Sequence, residues 1–142
     1  MADVHSKEVR SYNMSRIKGR NTAPEMLVRS FLHASGFRFV LHDKRLPGKP
    51  DIVLPKYRTV IFVQGCFWHM HEGCTKSNLP ADNHEFWVKK LNGNRERDMI
   101  NQKLLTEKGW KVLVIWTCEL LKAKRDSVLS KLAAEIKGSV IT

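Results

Sequence analysis

The ten residues Gly65-Cys66-Phe67-Trp68-His69-Met70-His71-Glu72-Gly73-Cys74 carry two cysteines, two histidines and an adjacent aromatic pair directly behind the apolar run Val60-Ile61-Phe62-Val63. The remaining cysteine of the chain, Cys118, follows a second apolar run, Val112 to Trp116. If the two runs are neighbouring strands, their ends converge and bring three sulfurs and a histidine to one point. That inventory suits a tetrahedral Cys₃His zinc site, with closely spaced ligands on one side and a distant one to close it. The spacing Cys66-x₄-His71-x₂-Cys74 favours His71 over His69 as the histidine ligand beside Cys66, Cys74 and Cys118, and leaves His69 free; three buried thiols with an incidental histidine are the alternative. A free neutral imidazole can take a proton from water near neutral pH; an ordinary polar loop histidine is the simpler alternative.

A second candidate centre surrounds Asp51, in Gly48-Lys49-Pro50-Asp51 at the mouth of a strand. A carboxylate there, beside the end of the next strand at Val63 and Gln64, suits Mg²⁺ with help from a backbone carbonyl, because magnesium takes hard oxygen ligands and only one or two protein carboxylates. Such an ion polarises a phosphodiester, although an Asp can also do no more than end a turn. Glu25, at a helix N-terminus, is either a capping partner or, if that helix flanks the sheet edge, a carboxylate that reaches the waters bound to that ion. Asp98, in Glu96-Arg97-Asp98, either orients His69 or complements a helix dipole. Phe67, Trp68 and, downstream, Trp87 are candidates to stack on or wedge between bases; aromatic wedges unstack a base step at a cost of a few kcal/mol, least at a mismatch. His5, His33, His42 and His84 have no comparable context.

The elements that must position these groups follow from the pattern. Thr22-Ala23-Pro24-Glu25 resembles a capping box, and Leu27, Phe31 and Ala34 form the apolar stripe of a helix that stops at Gly36. Phe37, Phe39 and Leu41 alternate with Arg38, Val40 and His42, which predicts a half-buried strand. Two further strands are expected at 51–54 and 59–63, joined by a short polar link. Glu85 opens a helix that ends or bends at Asn92-Gly93, and Asn94 caps another reaching Lys108. Lys111 to Trp116 reads as a strand buried on both faces, and a final helix spans about 126–137. Strand, helix, strand across 59–116 implies a parallel pair. The expected fold is one small α/β domain with a central mixed sheet flanked by helices, in the order α-β-β-β-α-β-α.

Composition defines the partner. The 142 residues include 25 Lys+Arg against 14 Asp+Glu, a formal charge of +11, so a polyanion such as DNA or RNA is expected. Residues 1–21 are a basic arm, either a loose terminus or a DNA clamp, and 22–142 form the domain. No apolar stretch approaches the roughly 20 residues of a membrane span, and three cysteines without an export signal favour metal binding over disulfides. The expectation is a cytoplasmic protein.

At these residues the chain resembles the very short patch repair (Vsr) DNA mismatch endonucleases. The resemblance spans about residues 14–116 and rests on Asn21-Thr22-Ala23-Pro24-Glu25, Leu46-Pro47-Gly48-Lys49-Pro50-Asp51-Ile52-Val53, Val60 to His69, Glu85-Phe86-Trp87, Asn94 with Arg97-Asp98, and Gly109-Trp110-Lys111-Val112-Leu113. It implies a PD-(D/E)XK-like nuclease fold with structural zinc and Mg²⁺-dependent nicking 5′ to the thymine of a T:G mismatch, the product of 5-methylcytosine deamination. By the same resemblance Asp51 and the Val63 backbone carbonyl hold Mg²⁺, Glu25 acts on it through water, His69 activates the attacking water, and Asp98 supports the site. Phe67, Trp68 and Trp87 open the mismatch in double-stranded DNA, and Cys66, His71, Cys74 and Cys118 bind zinc. A monomer is expected, with mismatch-repair proteins as unspecified partners. One departure stands out: Gln64 occupies a position where many of these enzymes have histidine. Two alternatives are a restriction-type or diverged DNA nuclease of the same fold, and a non-catalytic zinc-stabilised DNA-binding protein.

Overall fold

Residues 22–74 and 79–138 are described in a computed structural model of the chain; the basic arm expected over 1–21 lies outside them. The element order is helix α1 (Ala23–Ala34), strands β1 (Val40–Leu41), β2 (Ile52–Leu54) and β3 (Thr59–Gln64), helix α2 (His84–Glu107), strand β4 (Lys111–Trp116) and helix α3 (Arg125–Lys137). The sheet runs β1-β2-β3-β4; β1 to β3 are antiparallel neighbours, and β4 lies parallel to β3. This is the mixed sheet the pattern implies.

Period-two alternation divides the side chains between two layers. Ile52, Leu54, Ile61 and Ile115 join Val28 and Leu32 of α1 and Leu129, Leu132 and Ile136 of α3 in one core. Val53, Val60 and Phe62 point the other way and meet Leu105 of α2. Each fully buried Leu or Ile contributes about 1.5–3 kcal/mol of transfer free energy, so both layers matter to stability.

Three local expectations are corrected. The strand read over Phe37–Leu41 pairs only at Val40 and Leu41; Phe37 instead sits in the core, edge-on to Tyr57 with ring centroids 5.4 Å apart. The apolar run of β4 is not buried on both faces: only Ile115 is buried, because β4 is a terminal strand of the sheet, whereas central β3 is buried at five of its six positions. The break expected at Asn92-Gly93 is absent, and α2 runs unbroken for 24 residues. No helix among the described residues is long and apolar enough to cross a membrane.

Candidate active site and metal centre

Parallel pairing of β3 with β4 sets Gln64 opposite Trp116. Cys66 and Cys118 each lie two residues beyond that pair, so the register alone brings the two strand ends together. Cys66, His71, Cys74 and Cys118 offer ligand atoms that all lie within 4.8 Å of one another. The loop between them is tied by its own backbone: His71 N–H donates to the Cys66 carbonyl (2.9 Å), His69 N–H to Gly65 (3.1 Å) and Cys74 N–H to His71 (3.3 Å). Trp116, expected in the core, is only half-buried and stacks on the His71 ring at 4.2 Å. That stacking fixes the imidazole with Nδ1 3.4 Å from the Cys118 sulfur. Burial works to raise the Cys66 thiol, yet bonds from Thr117, the Cys118 backbone and His71 pull it below the ordinary thiol range. Burial and the neighbouring Cys66 and Cys74 push Cys118 above it. Three sulfurs and one imidazole, one sulfur biased towards thiolate, form a donor set that fits a tetrahedral zinc ion.

The second centre opens into a cleft of about 640 Å³ whose lining includes Glu25, Asp51, Val63, Gln64, Trp68, His69 and Asp98. Asp51 stands at the entrance to β2, and its carboxylate accepts the Val63 N–H at 2.7 Å. The preceding turn needs glycine at Gly48, where φ is +76° and an added Cβ would lie 3.0 Å from the Asn101 side chain of α2. Burial pushes the Asp51 carboxyl up to about 6 against the pull of the Val63 bond; Glu25 adds to the rise, while His42 and His69 oppose it.

Glu25 does more than end a helix. Thr22 Oγ1 accepts the Glu25 N–H at 3.4 Å, as a cap requires. The Glu25 carboxylate, only 2% exposed, turns to Arg29 (3.2 Å) and to His42 Nε2 (2.8 Å). His42 therefore has a context that its sequence neighbours do not reveal: Glu25, His42 and Asp51 place ligand atoms within 4.8 Å of one another.

Helix α2 supplies the opposite wall. Trp87, Leu91, Asn94, Asp98, Asn101 and Leu105 follow alternating steps of four and three, one continuous helical stripe. Leu91 and Leu105 are fully buried. Between them Asn94 donates to the Trp68 carbonyl at 3.1 Å, and Asp98 lies 2.5 Å from His69 Nδ1. An ionised carboxylate can only accept, so Nδ1 carries the proton and the Nε2 lone pair is left for chemistry. Phe67, Trp68 and Trp87 pack edge-to-face in a triangle with centroids 5.2, 5.3 and 5.9 Å apart. Phe86, 59% exposed, extends the cluster against Trp87 and had no signal beyond its aromatic neighbour. Thr117, which touches Cys66 at 3.4 Å, was likewise not anticipated.

The donor set at this second centre, two carboxylates and an imidazole beside the β3 backbone, fits a divalent cation. The arrangement as a whole can hold a cation, orient a neutral imidazole base and present an aromatic wedge beside both.

Comparison with known proteins identifies the family. A family model described as DNA mismatch endonuclease Vsr matches residues 2–76. The type II nicking enzyme V.NmeAIP of Neisseria meningitidis serogroup A is 47% identical over 141 residues, covering 99% of this chain and 100% of that one. The type II nicking enzyme V.XorIIP of Xanthomonas oryzae is 49% identical over 120 residues, 84% of this chain and 88% of its own. DNA mismatch endonuclease Vsr of Escherichia coli K12 is 48% identical over 120 residues, 84% of this chain and 76% of that one. With a family model over more than half its length and such relatives across most of it, this chain belongs to the Vsr family of DNA mismatch endonucleases.

Proposed function

We propose that the protein nicks one strand of double-stranded DNA 5′ to the thymine of a T:G mismatch, by Mg²⁺-dependent hydrolysis on a PD-(D/E)XK-like domain pinned by structural zinc. The observation that carries this reading is that Asp51, held by Val63, and His69, held by Asp98, line one cleft beside the aromatic triangle. Asp51 and the Val63 carbonyl would hold the magnesium ion, with Glu25 acting through water. When bound, the cation polarises the phosphodiester and stabilises charge developing on it.

The remaining steps belong to side chains. Lys49 and Lys90 line the cleft and balance the phosphate charge. His69 Nε2 accepts the proton of the attacking water as its oxygen bonds to phosphorus; the bond from phosphorus to the leaving sugar oxygen breaks, and that oxygen takes a proton from solvent water. Asp98 keeps the ring in the tautomer that can do so and balances the imidazolium that results. Phe67, Trp68 and Trp87 enter the mismatched step as a preassembled wedge; their mutual packing means that little ordering remains to be done on DNA. The +11 charge supplies the sequence-independent part of the affinity.

Two measurements test this. A T:G duplex with Mg²⁺ is expected to be cut at one phosphate on the thymine strand only; equal cutting of a matched duplex would overturn the mismatch reading. Asp98→Asn is expected to lower kcat roughly 10²-fold with KM for DNA little changed, because it disturbs a proton transfer and not binding. A change in KM alone would assign Asp98 to DNA binding instead.

A further inference from the structure

The Glu25–His42–Asp51 cluster has a chemistry that a magnesium site does not require. Magnesium selects oxygen donors, whereas first-row transition dications, manganese(II) included, accept an imidazole nitrogen more readily than magnesium does. His42 Nε2 lies 2.8 Å from Glu25 Oε2, and one ring nitrogen of His42 and one oxygen each of Glu25 and Asp51 lie within 4.8 Å of one another. The 2.8 Å contact is a hydrogen bond in which Nε2–H donates to the Glu25 carboxylate, so a dication bound at Nε2 would displace that proton to solvent. With an Asp51 oxygen in the same cluster, one ion can take the place of the proton between the imidazole and the carboxylates.

The backbone is committed to this placement. His42 has φ +47°, a left-handed conformation uncommon for a residue with a side chain, and its N–H donates to the Asp51 carbonyl at 3.1 Å. Asp51, which precedes β2, is thus bonded to the residue that brings the imidazole. Arg29 lies 3.2 Å from the same Glu25 oxygen and helps hold the carboxylate in place.

We propose that His42 is a direct nitrogen ligand of the dication that Asp51 holds and Glu25 reaches through water, and that this makes the site select manganese(II) over magnesium. The inference rests on the metal-dependent reading of the cleft, but its test needs no DNA and no turnover. The probe is Mn²⁺ added to the full-length, zinc-loaded protein and followed by electron paramagnetic resonance, with Mg²⁺ as competitor.

Wild type is expected to bind Mn²⁺ at least about 10-fold more tightly than Mg²⁺. Pulsed spectra are expected to show a directly coordinated ¹⁴N that becomes ¹⁵N when histidine is labelled. His42→Gln retains an amide to face Glu25 and is expected to lose that coupling and about 10-fold in Mn²⁺ affinity, with Mg²⁺ affinity within about twofold. His69→Ala is expected to keep the coupling. Absence of a histidine nitrogen from the wild-type spectrum overturns the proposal whatever the variants do, as does an unchanged Mn²⁺/Mg²⁺ ratio in a folded His42→Gln protein. In either case the nuclease reading survives if Asp51→Asn still abolishes Mn²⁺ binding. If Asp51→Asn binds as wild type does, the cleft is not the metal site and both fail.

Discussion

Asp51→Asn is expected to abolish nicking, by about 10³-fold or more, while a T:G duplex still binds within a few fold and the free protein becomes more stable at neutral pH. The combination follows from where the carboxylate sits. Burial, reinforced by Glu25, raises its pKa to about 6 despite the Val63 N–H bond. A carboxyl with a native pKa above its unfolded value of 3.8 holds more protons folded than unfolded between those two values. Stability of the metal-free protein therefore falls as pH rises from about 4 through about 6 and is flat in this respect above it. At pH 7.5 the ionised group costs on the order of 3 kcal/mol, which a bound dication would offset. Asparagine can present its Oδ1 to the Val63 N–H in place of the aspartate Oδ2, without the charge. In magnesium-free buffer at pH 7.5 the variant should melt roughly 5–10 °C above wild type. The gap should close below pH 4 and narrow when magnesium is added to both proteins. A variant that melts lower at pH 7.5, or that still nicks, would remove Asp51 from the centre of the site.

What could be read ahead of the structure divides according to the distance over which each feature is determined. The β3 run and the capped start of α1 are local patterns, and both hold. Helix α2 is also local, but its site-facing stripe is half polar: Asn94, Asp98 and Asn101 interrupt the apolar repeat between Leu91 and Leu105. Periodicity in hydrophobicity alone misses a helix whose face covers a cleft, and Asn92-Gly93 then looks like a stop. The four-three spacing from Trp87 to Leu105 was the available signal. Strand β4 was misjudged because an apolar run does not disclose its rank in the sheet, which long-range pairing decides. His42 illustrates the same limit at the site. Its partner Glu25 is 17 residues away on another element, and the positive φ that turns the imidazole towards it has no signature in residue type. By contrast, the gathering of Cys66 and Cys118 needed only that two apolar runs be parallel neighbours in register, and they are.

Stripping zinc is expected to have the largest effect on the fold around the cleft. Within 4.8 Å the protein gathers three sulfurs and an imidazole, and the Cys66 and Cys118 thiols shift each other's proton affinity in opposite directions. A structural zinc in such a set contributes on the order of 10 kcal/mol, comparable to the whole stability of a small domain. The ion would also join loop 65–74 to the end of β4, and that loop carries Phe67, Trp68 and His69. Elemental analysis should find one zinc per chain. A strong chelator should then lower the melting temperature, change the emission of Trp68 and Trp116, and abolish nicking even with magnesium in excess. Cys118→Ser separates the two roles of the ion. Serine leaves three ligands on the loop side but loosens the bond to β4, so zinc affinity should fall by a factor of ten or more while some zinc is retained. The aromatic wedge and His69 should then be less well placed, and the nicking rate should fall further than DNA affinity does. Undiminished stability in chelator, with no zinc found in the untreated protein, would show that the thiols are held by packing alone and that the aromatic loop is ordered by Asn94 and Asp98 of α2 without help from a metal.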